Sequence, residues 1–211
     1  MKNLFDPESL PMRVLGRVAD LMLINLLFLL CSLPVFTLGA SLSAFYAVSF
    51  KLLEEEEGHV CKRYLSAFRE NLRQATVLWL MALVAALILV VDLAIYRLYA
   101  SSFSRIILLL LYLVLLIYAM TFSYLFPLQG RFRNPIRQTL RNAFLLSFLH
   151  FPVTALVVPV TFAPLLILYF RSDLFLRLLP LILFLFLPLL IYINSKFFLP
   201  VFSKYSNNNP Q

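Results

Sequence analysis

Residues 21–50 read LMLINLLFLLCSLPVFTLGASLSAFYAVSF, a stretch without one Asp, Glu, Lys or Arg. As a single helix it would be about 45 Å long, whereas a hydrocarbon core is roughly 30 Å thick and takes about 20 apolar residues to cross. The run must therefore turn back on itself. Its own sequence supplies the turn: Leu33-Pro34-Val35-Phe36-Thr37-Leu38-Gly39-Ala40 brings together a proline, a hydroxyl residue suited to a helix N-cap and a glycine, the marks of a helix boundary. The reading predicts helix 1 over about 12–33 and helix 2 over about 38–56. Helix 2 carries Gly39, Ser43 and Ala47 one helical turn apart, small residues that let membrane helices approach closely, which places it inside a bundle.

Working outward, residues 74–91, 106–130, 142–170 and 178–195 are also free of ionisable Asp, Glu, Lys and Arg. Each is long enough, or nearly so, to cross a bilayer. They predict helix 3 near 63–98, helix 4 near 103–129, helix 5 near 135–170 and helix 6 near 174–204. Of the 211 residues 62% are hydrophobic and 13% charged, against roughly 45–50% and about 25% in a soluble domain. The fold class is therefore all-α, a polytopic transmembrane bundle of about six helices, with residues 1–205 as one domain and 206–211 as a disordered polar tail. Asp6, Glu8 and Asp20 among the first residues make a poor signal-peptide n-region, so helix 1 is expected to be retained. Cys31, in an apolar run, and Cys61, in a charged loop, do not form a disulfide framework.

The net charge of +8 is a topology signal, because Lys and Arg of membrane proteins collect in cytoplasmic loops. With six spans, fourteen of the 18 cations fall on one side: Lys2, Arg13 and Arg17, the 51–73 loop, the 131–141 loop, and Lys196 and Lys204. Arg97, Arg105, Arg171 and Arg177 fall on the other. Five spans would divide the cations less unequally, so six spans with both termini cytoplasmic are favoured, in a bacterial inner membrane. A re-entrant helix 2 is the alternative. The surroundings implied are the lipid bilayer, without nucleic acid; oligomeric state is not legible.

Two basic elbows precede helices 3 and 5. Arg69-Glu70-Asn71-Leu72-Arg73-Gln74-Ala75 aligns with Arg137-Gln138-Thr139-Leu140-Arg141-Asn142-Ala143, with four of seven positions identical. Both read as amphipathic segments in the cytoplasmic interface, and Arg69, Arg73, Arg137 and Arg141 are the candidate contacts to lipid headgroups or a partner protein. Any short basic loop entering a membrane helix shares this look; a parallel duplication of a helix-pair unit is the sharper alternative. The acidic run Glu54–Glu57 reads as a solvated helix end that pairs with Lys62, Arg63 or the second elbow.

Little in the chain can carry chemistry. Two His and two Cys are too few for a credible zinc site, which needs three or four ligands at defined spacing. Gly16, Gly39, Gly58 and Gly130 make no phosphate loop. No metal, cofactor or catalytic residue is assigned, and the chain reads as a non-enzyme. The intramembrane polar candidates are Asp92, His150 and Asn194. Asp92 can pair with Arg97 or Arg105 near the outer interface, and His150 stands before Pro152 in a helix that also holds Pro159 and Pro164, where proline kinks are expected.

The chain resembles the YesL-like family of uncharacterised bacterial integral membrane proteins. The resemblance rests on Arg17-Val18-Ala19-Asp20, Asn25-Leu26-Leu27-Phe28, Leu33-Pro34, Thr37, Gly39-Ala40, Glu57-Gly58, Phe68, Asn71 and Gln74-Ala75-Thr76, and beyond these on Asn142-Ala143, His150 and Pro152. It implies no catalytic residues. It does imply an association with carbohydrate utilisation, and hence an accessory role beside a sugar-uptake complex. A small autonomous transporter or channel, and a structural or membrane-assembly protein, are the other classes the sequence allows.

Overall fold

In a computed structural model, residues 10–55, 59–99 and 105–206 are described, and they are helical nearly throughout. The expected tail lies outside these residues except for Ser206, which ends the last helix. Six stretches are long and apolar enough to cross a membrane: 15–32, 35–53, 60–96, 105–131, 151–170 and 175–205. The molecule is a multi-pass helical membrane protein.

Helices α1 (Leu10–Ser32) and α2 (Leu38–Leu53) form the hairpin that the 21–50 run demands. A single 3-10 turn at Val35–Thr37 joins them. The Thr37 hydroxyl does not cap α2; it lies 2.6 Å from the Cys31 carbonyl and 2.7 Å from that of Pro34. It thus satisfies the Cys31 carbonyl, left over at the end of α1, and tightens the turn at Pro34, whose carbonyl also accepts from the Thr37 N–H at 2.9 Å.

Helix α2 is the hub. It packs on α1, α3 (Val60–Tyr99), α4 (Arg105–Arg131) and α8 (Leu187–Ser206), and its small residues are what allow this. A Cβ built on Gly39 would lie 2.5 Å from the Ala75 carbonyl oxygen and 2.6 Å from Trp79 Cβ. On the facing helix, a Cβ built on Gly130 would lie 2.4 Å from the Ser43 carbonyl oxygen and 3.1 Å from the Ala47 nitrogen. The Gly39, Ser43, Ala47 stripe is therefore a seam against α3 on one side and α4 on the other. Aromatic rings fill the remaining space, with Phe28 on Phe45, Phe50 on Phe202, and Tyr124 edge-on to Phe198 at 4.7 Å.

The seam also fixes depth. Trp79 donates its indole N–H to the Val35 carbonyl at 2.9 Å, so the α1–α2 turn lies level with Trp79. Helix α3 continues from there for about 30 Å to Tyr99. Asp92, where its charge-free run ends, is about 20 Å beyond the turn. The turn consequently lies well short of the far end of α3, and α2 is shorter than the α3 and α4 helices it packs against. The hairpin tip is apolar and open, with Leu33, Val35 and Phe36 all exposed.

The expected helix 5 over 135–170 is two helices. Amphipathic α5 (Ile136–Leu149) and apolar α6 (Phe151–Phe170) break at His150, whose φ is −110° and ψ 47°. Pro152 lacks an N–H and crowds the preceding turn, so it opens a new helix here, where a kink within one helix was expected. In a continuous helix Phe151 N–H would bond to the Ser147 carbonyl. The Thr154 hydroxyl takes that carbonyl instead, at 2.7 Å, and Tyr124 OH lies 2.9 Å from Thr154 Oγ1.

The expected helix 6 is also interrupted. Between α7 (Ser172–Leu181) and α8 runs a π turn, Ile182–Phe186. In that register the Leu183 carbonyl would accept from residue 188, which is proline and has no N–H. Asn25, buried on α1, donates its amide to this carbonyl at 3.0 Å.

Candidate functional site

The polar end of the bundle is built around Gln129, in the last turn of α4 and only 3% exposed. Its amide nitrogen donates to Asn71 Oδ1 at 3.1 Å and to Gln74 Oε1 at 3.0 Å, while its oxygen accepts from the Thr139 hydroxyl at 3.2 Å. Asn71 and Thr139 are equivalent positions of the two aligned elbows, so both elbows converge on one side chain. Ala75 and Ala143, also equivalent, are both fully buried. The helices that follow differ, because α3 runs on unbroken whereas α5 ends at His150.

Beside this cluster lies a cavity of about 910 Å³ among α2, α3 and the α4–α5 loop. Its cations are Lys51, Arg63, Arg73, Arg131 and Arg133. Its neutral hydrogen-bonding groups are Ser66, Asn71, Gln74, Gln129 and Asn134. Glu70 is the one carboxylate in the described lining; it is held by Arg133 and by the Ser66 hydroxyl, which donates to Oε1 at 2.9 Å. Arg131 makes a bidentate pair with Glu54, at 2.6 and 2.8 Å, and its guanidinium lies over the Phe50 ring. The first turn of α5, which begins beside Asn134 and Pro135, has no side-chain cap.

Helix phase explains this lining. Residues 63, 66, 67, 70, 71 and 74 share one face of α3 at three- and four-residue spacing, with Arg73 at its edge. Of the four arginines singled out in the sequence, Arg73 alone lines the cavity. Arg69, Arg137 and Arg141 are exposed elsewhere. Of the acidic run, Glu54 meets Arg131, at the start of the loop that leads into the second elbow, and Glu55 meets Arg17 of α1 at 2.6 Å, because the α1–α2 hairpin brings Arg17 beside the end of α2; Glu56 and Glu57 lie outside the described residues.

The polar candidates lie apart from the cavity and from one another. Asp92 is exposed on α3; the Arg97 side chain is outside the described residues, and no described ion pair joins Asp92 to Arg105. Asn194 is buried and donates to Thr161 Oγ1 at 3.0 Å, tying α8 to α6. His150 sits at the α5–α6 break with Nε2 3.3 Å from Tyr205 OH. Partial burial, and then the nearby Lys204 charge, hold its imidazole below the ordinary histidine range. Near Asn194 is a second cavity of about 190 Å³, lined largely by Leu, Ile, Phe and Pro.

Sequence reasoning missed Gln129, Arg131 and Arg133 as a group. The signal was present in Gln129-Gly130-Arg131, where an amide and a glycine end an otherwise apolar helix.

Among the described residues the lining is rich in hydrogen-bond donors and cations and holds one carboxylate, Glu70, which is already paired. No curated protein and no solved structure matches the chain. Residues 21–93, which carry the α1–α2 hairpin and the α2 and α3 walls of the cavity, match the model of a family described as a protein of unknown function, DUF624, and this is what the chain is similar to.

Proposed function

We propose that the protein is a non-enzymatic accessory component of a carbohydrate-uptake or utilisation system in a bacterial inner membrane, with both termini in the cytoplasm. The observation that carries a docking role is the convergence of both basic elbows on Gln129, which presents Arg69, Arg137 and Arg141 outward from one firmly held platform. The link to carbohydrate uptake rests on the resemblance to YesL-like proteins. An autonomous transport path is the weaker reading, because neither His150 nor Asn194 lines the cation-rich cavity and the cavity near Asn194 is small and apolar.

Cross-linking in native membranes followed by mass spectrometry tests the role. A reproducible partner from a sugar importer is expected with the wild type, and its recovery should fall at least several-fold in the Arg69→Gln, Arg137→Gln, Arg141→Gln triple variant without loss of membrane insertion. Equal recovery from both proteins would refute docking through the elbows, and recovery of no partner would leave the membrane-assembly class in its place.

The proposed orientation has the α1–α2 hairpin entering and leaving the membrane on the cytoplasmic side. In a Cys31→Ser, Cys61→Ser background, Phe36→Cys should resist a membrane-impermeant maleimide added outside, whereas Ser102→Cys, between α3 and α4, should react. External labelling at position 36 would instead make α1 and α2 full crossings.

A further inference from the structure

The geometry points to the smaller cavity, between α2, α4, α6 and the π turn, as a site that takes one acyl chain of a membrane lipid. Three of its four walls are irregular at the cavity itself. Pro127 lies inside α4 and Pro164 inside α6, where each removes a helical hydrogen bond and crowds the preceding turn. The third is the π turn, whose Ile182 and Phe186 reach the cavity. The space lies where these irregularities meet, in contrast to the tight seams that α2 makes with α3 and α4. Two buried amides hold the walls in place: Asn25 donates to the Leu183 carbonyl within the π turn, and Asn194 ties α8 to α6 at Thr161. Tyr46, Phe126 and Ile191 form a buried floor, while Pro164, Phe186 and Leu190 are half-buried and mark the mouth.

The chemistry of the lining selects the occupant. Every lining residue belongs to a stretch without Asp, Glu, Lys or Arg, and the hydroxyls among them are already engaged. Ser123 donates to the Ala119 carbonyl, Thr161 accepts from Asn194, and Tyr46 is hydrogen-bonded to Asn194. A buried water needs about two to four polar partners, and an apolar cavity of about 150 Å³ stays dry and takes up benzene or xenon instead. At about 190 Å³ this one suits a somewhat larger piece of hydrocarbon. It is smaller than the roughly 300–1,000 Å³ of small-molecule sites, which fits a length of chain entering from outside and not a whole ligand enclosed. Depth names the source. Pro127 stands four residues before Arg131 and Ile191 five before Lys196, so the cavity begins about 6–8 Å inward of the cation-rich end. The medium at that depth is the acyl chains of the cation-rich leaflet, and Leu185 and Leu189, next to the mouth residues, are exposed to it. The proposal goes beyond the docking role and does not depend on it, because no elbow arginine lines this cavity.

The experiment places the whole protein in phosphatidylcholine nanodiscs doped with a phosphatidylcholine that carries a diazirine midway along one acyl chain. After irradiation and digestion, mass spectrometry maps the adducts. Phe186 and Leu190 are expected to carry several-fold more adduct than Leu165 and Leu189, which neighbour the same cavity residues along α6 and α8 and are the more exposed. Two variants fill the space from different walls. Ser123→Leu enlarges a side chain whose hydroxyl bonds only within its own helix, and Leu42→Phe fills from α2. Each should lower the adducts at Phe186 and Leu190 several-fold and leave those at Leu165 and Leu189 unchanged. Unchanged labelling at the latter pair, with helical content by circular dichroism, shows that a variant has folded; should one fail to insert, the other carries the test. Adducts that simply follow exposure, with Leu165 and Leu189 ahead, would overturn the site. So would labelling of Phe186 and Leu190 that survives the filling substitutions.

Discussion

Gly130→Ala is expected to be among the most damaging single-methyl changes in this protein, and Gly130→Leu to prevent assembly of the bundle. The added Cβ would lie 2.4 Å from the Ser43 carbonyl oxygen and 3.1 Å from the Ala47 nitrogen, both backbone atoms of the central helix. No side chain can swing aside to relieve the clash, so α2 and α4 must separate. Separation disturbs the Gly39 seam as well, where Ala75 and Trp79 press from the other side. Overpacking costs typically about 1–3 kcal/mol, and the upper end applies where the obstacle is backbone. Gly16→Ala is the control, since a Cβ there meets nothing within 4 Å; it should leave stability unchanged or raise it by up to about 1 kcal/mol through helix propensity. Thermal unfolding in detergent, followed by the fluorescence of the single tryptophan, Trp79, reads both variants at the seam itself. Similar midpoints for Gly130→Ala and Gly16→Ala would show that α2 and α4 are not in close contact.

The second large effect is expected at Gln129. Leucine fits the volume but removes three hydrogen bonds at once. The Thr139 hydroxyl retains the Pro135 carbonyl at 3.4 Å, whereas Asn71 Oδ1 and Gln74 Oε1 lose the donor they share. Asn71 cannot simply turn its amide round, because its nitrogen already donates to the Ala67 carbonyl at 2.9 Å. A buried polar group without a partner costs about 1–3 kcal/mol; Asn71 and Gln74 are half-buried beside the cavity, where water replaces part of what they lose, so Gln129→Leu should destabilise by about 1–3 kcal/mol in all. Since Gln129 ties the second elbow to α3 and α4, the loss should be greatest there: trypsin cleavage after Arg133 and Arg137 should accelerate far more than cleavage elsewhere. Uniform proteolysis, or an unchanged midpoint, would remove Gln129 as the link between the elbows.

The parts of this fold that were legible in the sequence are those governed by the cost of charge in hydrocarbon. The windows without Asp, Glu, Lys or Arg locate the long apolar helices of the described residues, and Pro34 with Gly39 locates the hairpin turn. Gln129 escaped because a neutral amide passes unnoticed through a window defined by missing Asp, Glu, Lys and Arg, and its importance comes from Asn71, Gln74 and Thr139, which are distant in sequence. The depth of the α1–α2 turn stayed open in the sequence, between a full crossing and a re-entrant hairpin, for a different reason. Residues 34–39 carry no Lys or Arg, so the cation count is the same whether the turn crosses fully or stops partway; only the Trp79 to Val35 hydrogen bond registers its level. At Pro152 the local rule was right and its outcome wrong, since loss of one N–H can bend a helix or end it. The Thr154 hydroxyl, by taking up the Ser147 carbonyl, makes ending it tolerable. Likewise Arg69, Arg73, Arg137 and Arg141 look equivalent along the chain, and only the phase of α3 brings Arg73 to the cavity rim.

The short α1–α2 hairpin also determines how the protein occupies lipid. Helices α1, α2 and α5 all belong to the layer that holds the cation-rich end, and α3 and α4 continue about 30 Å past Trp79 without them. That extension is lined by open apolar side chains such as Leu87, Val90, Leu109 and Leu113, which meet acyl chains directly. Past the level of Trp79 these side chains rely on the lipid itself for their cover, so the fit of acyl chains to α3 and α4 takes the place that protein packing holds around α2.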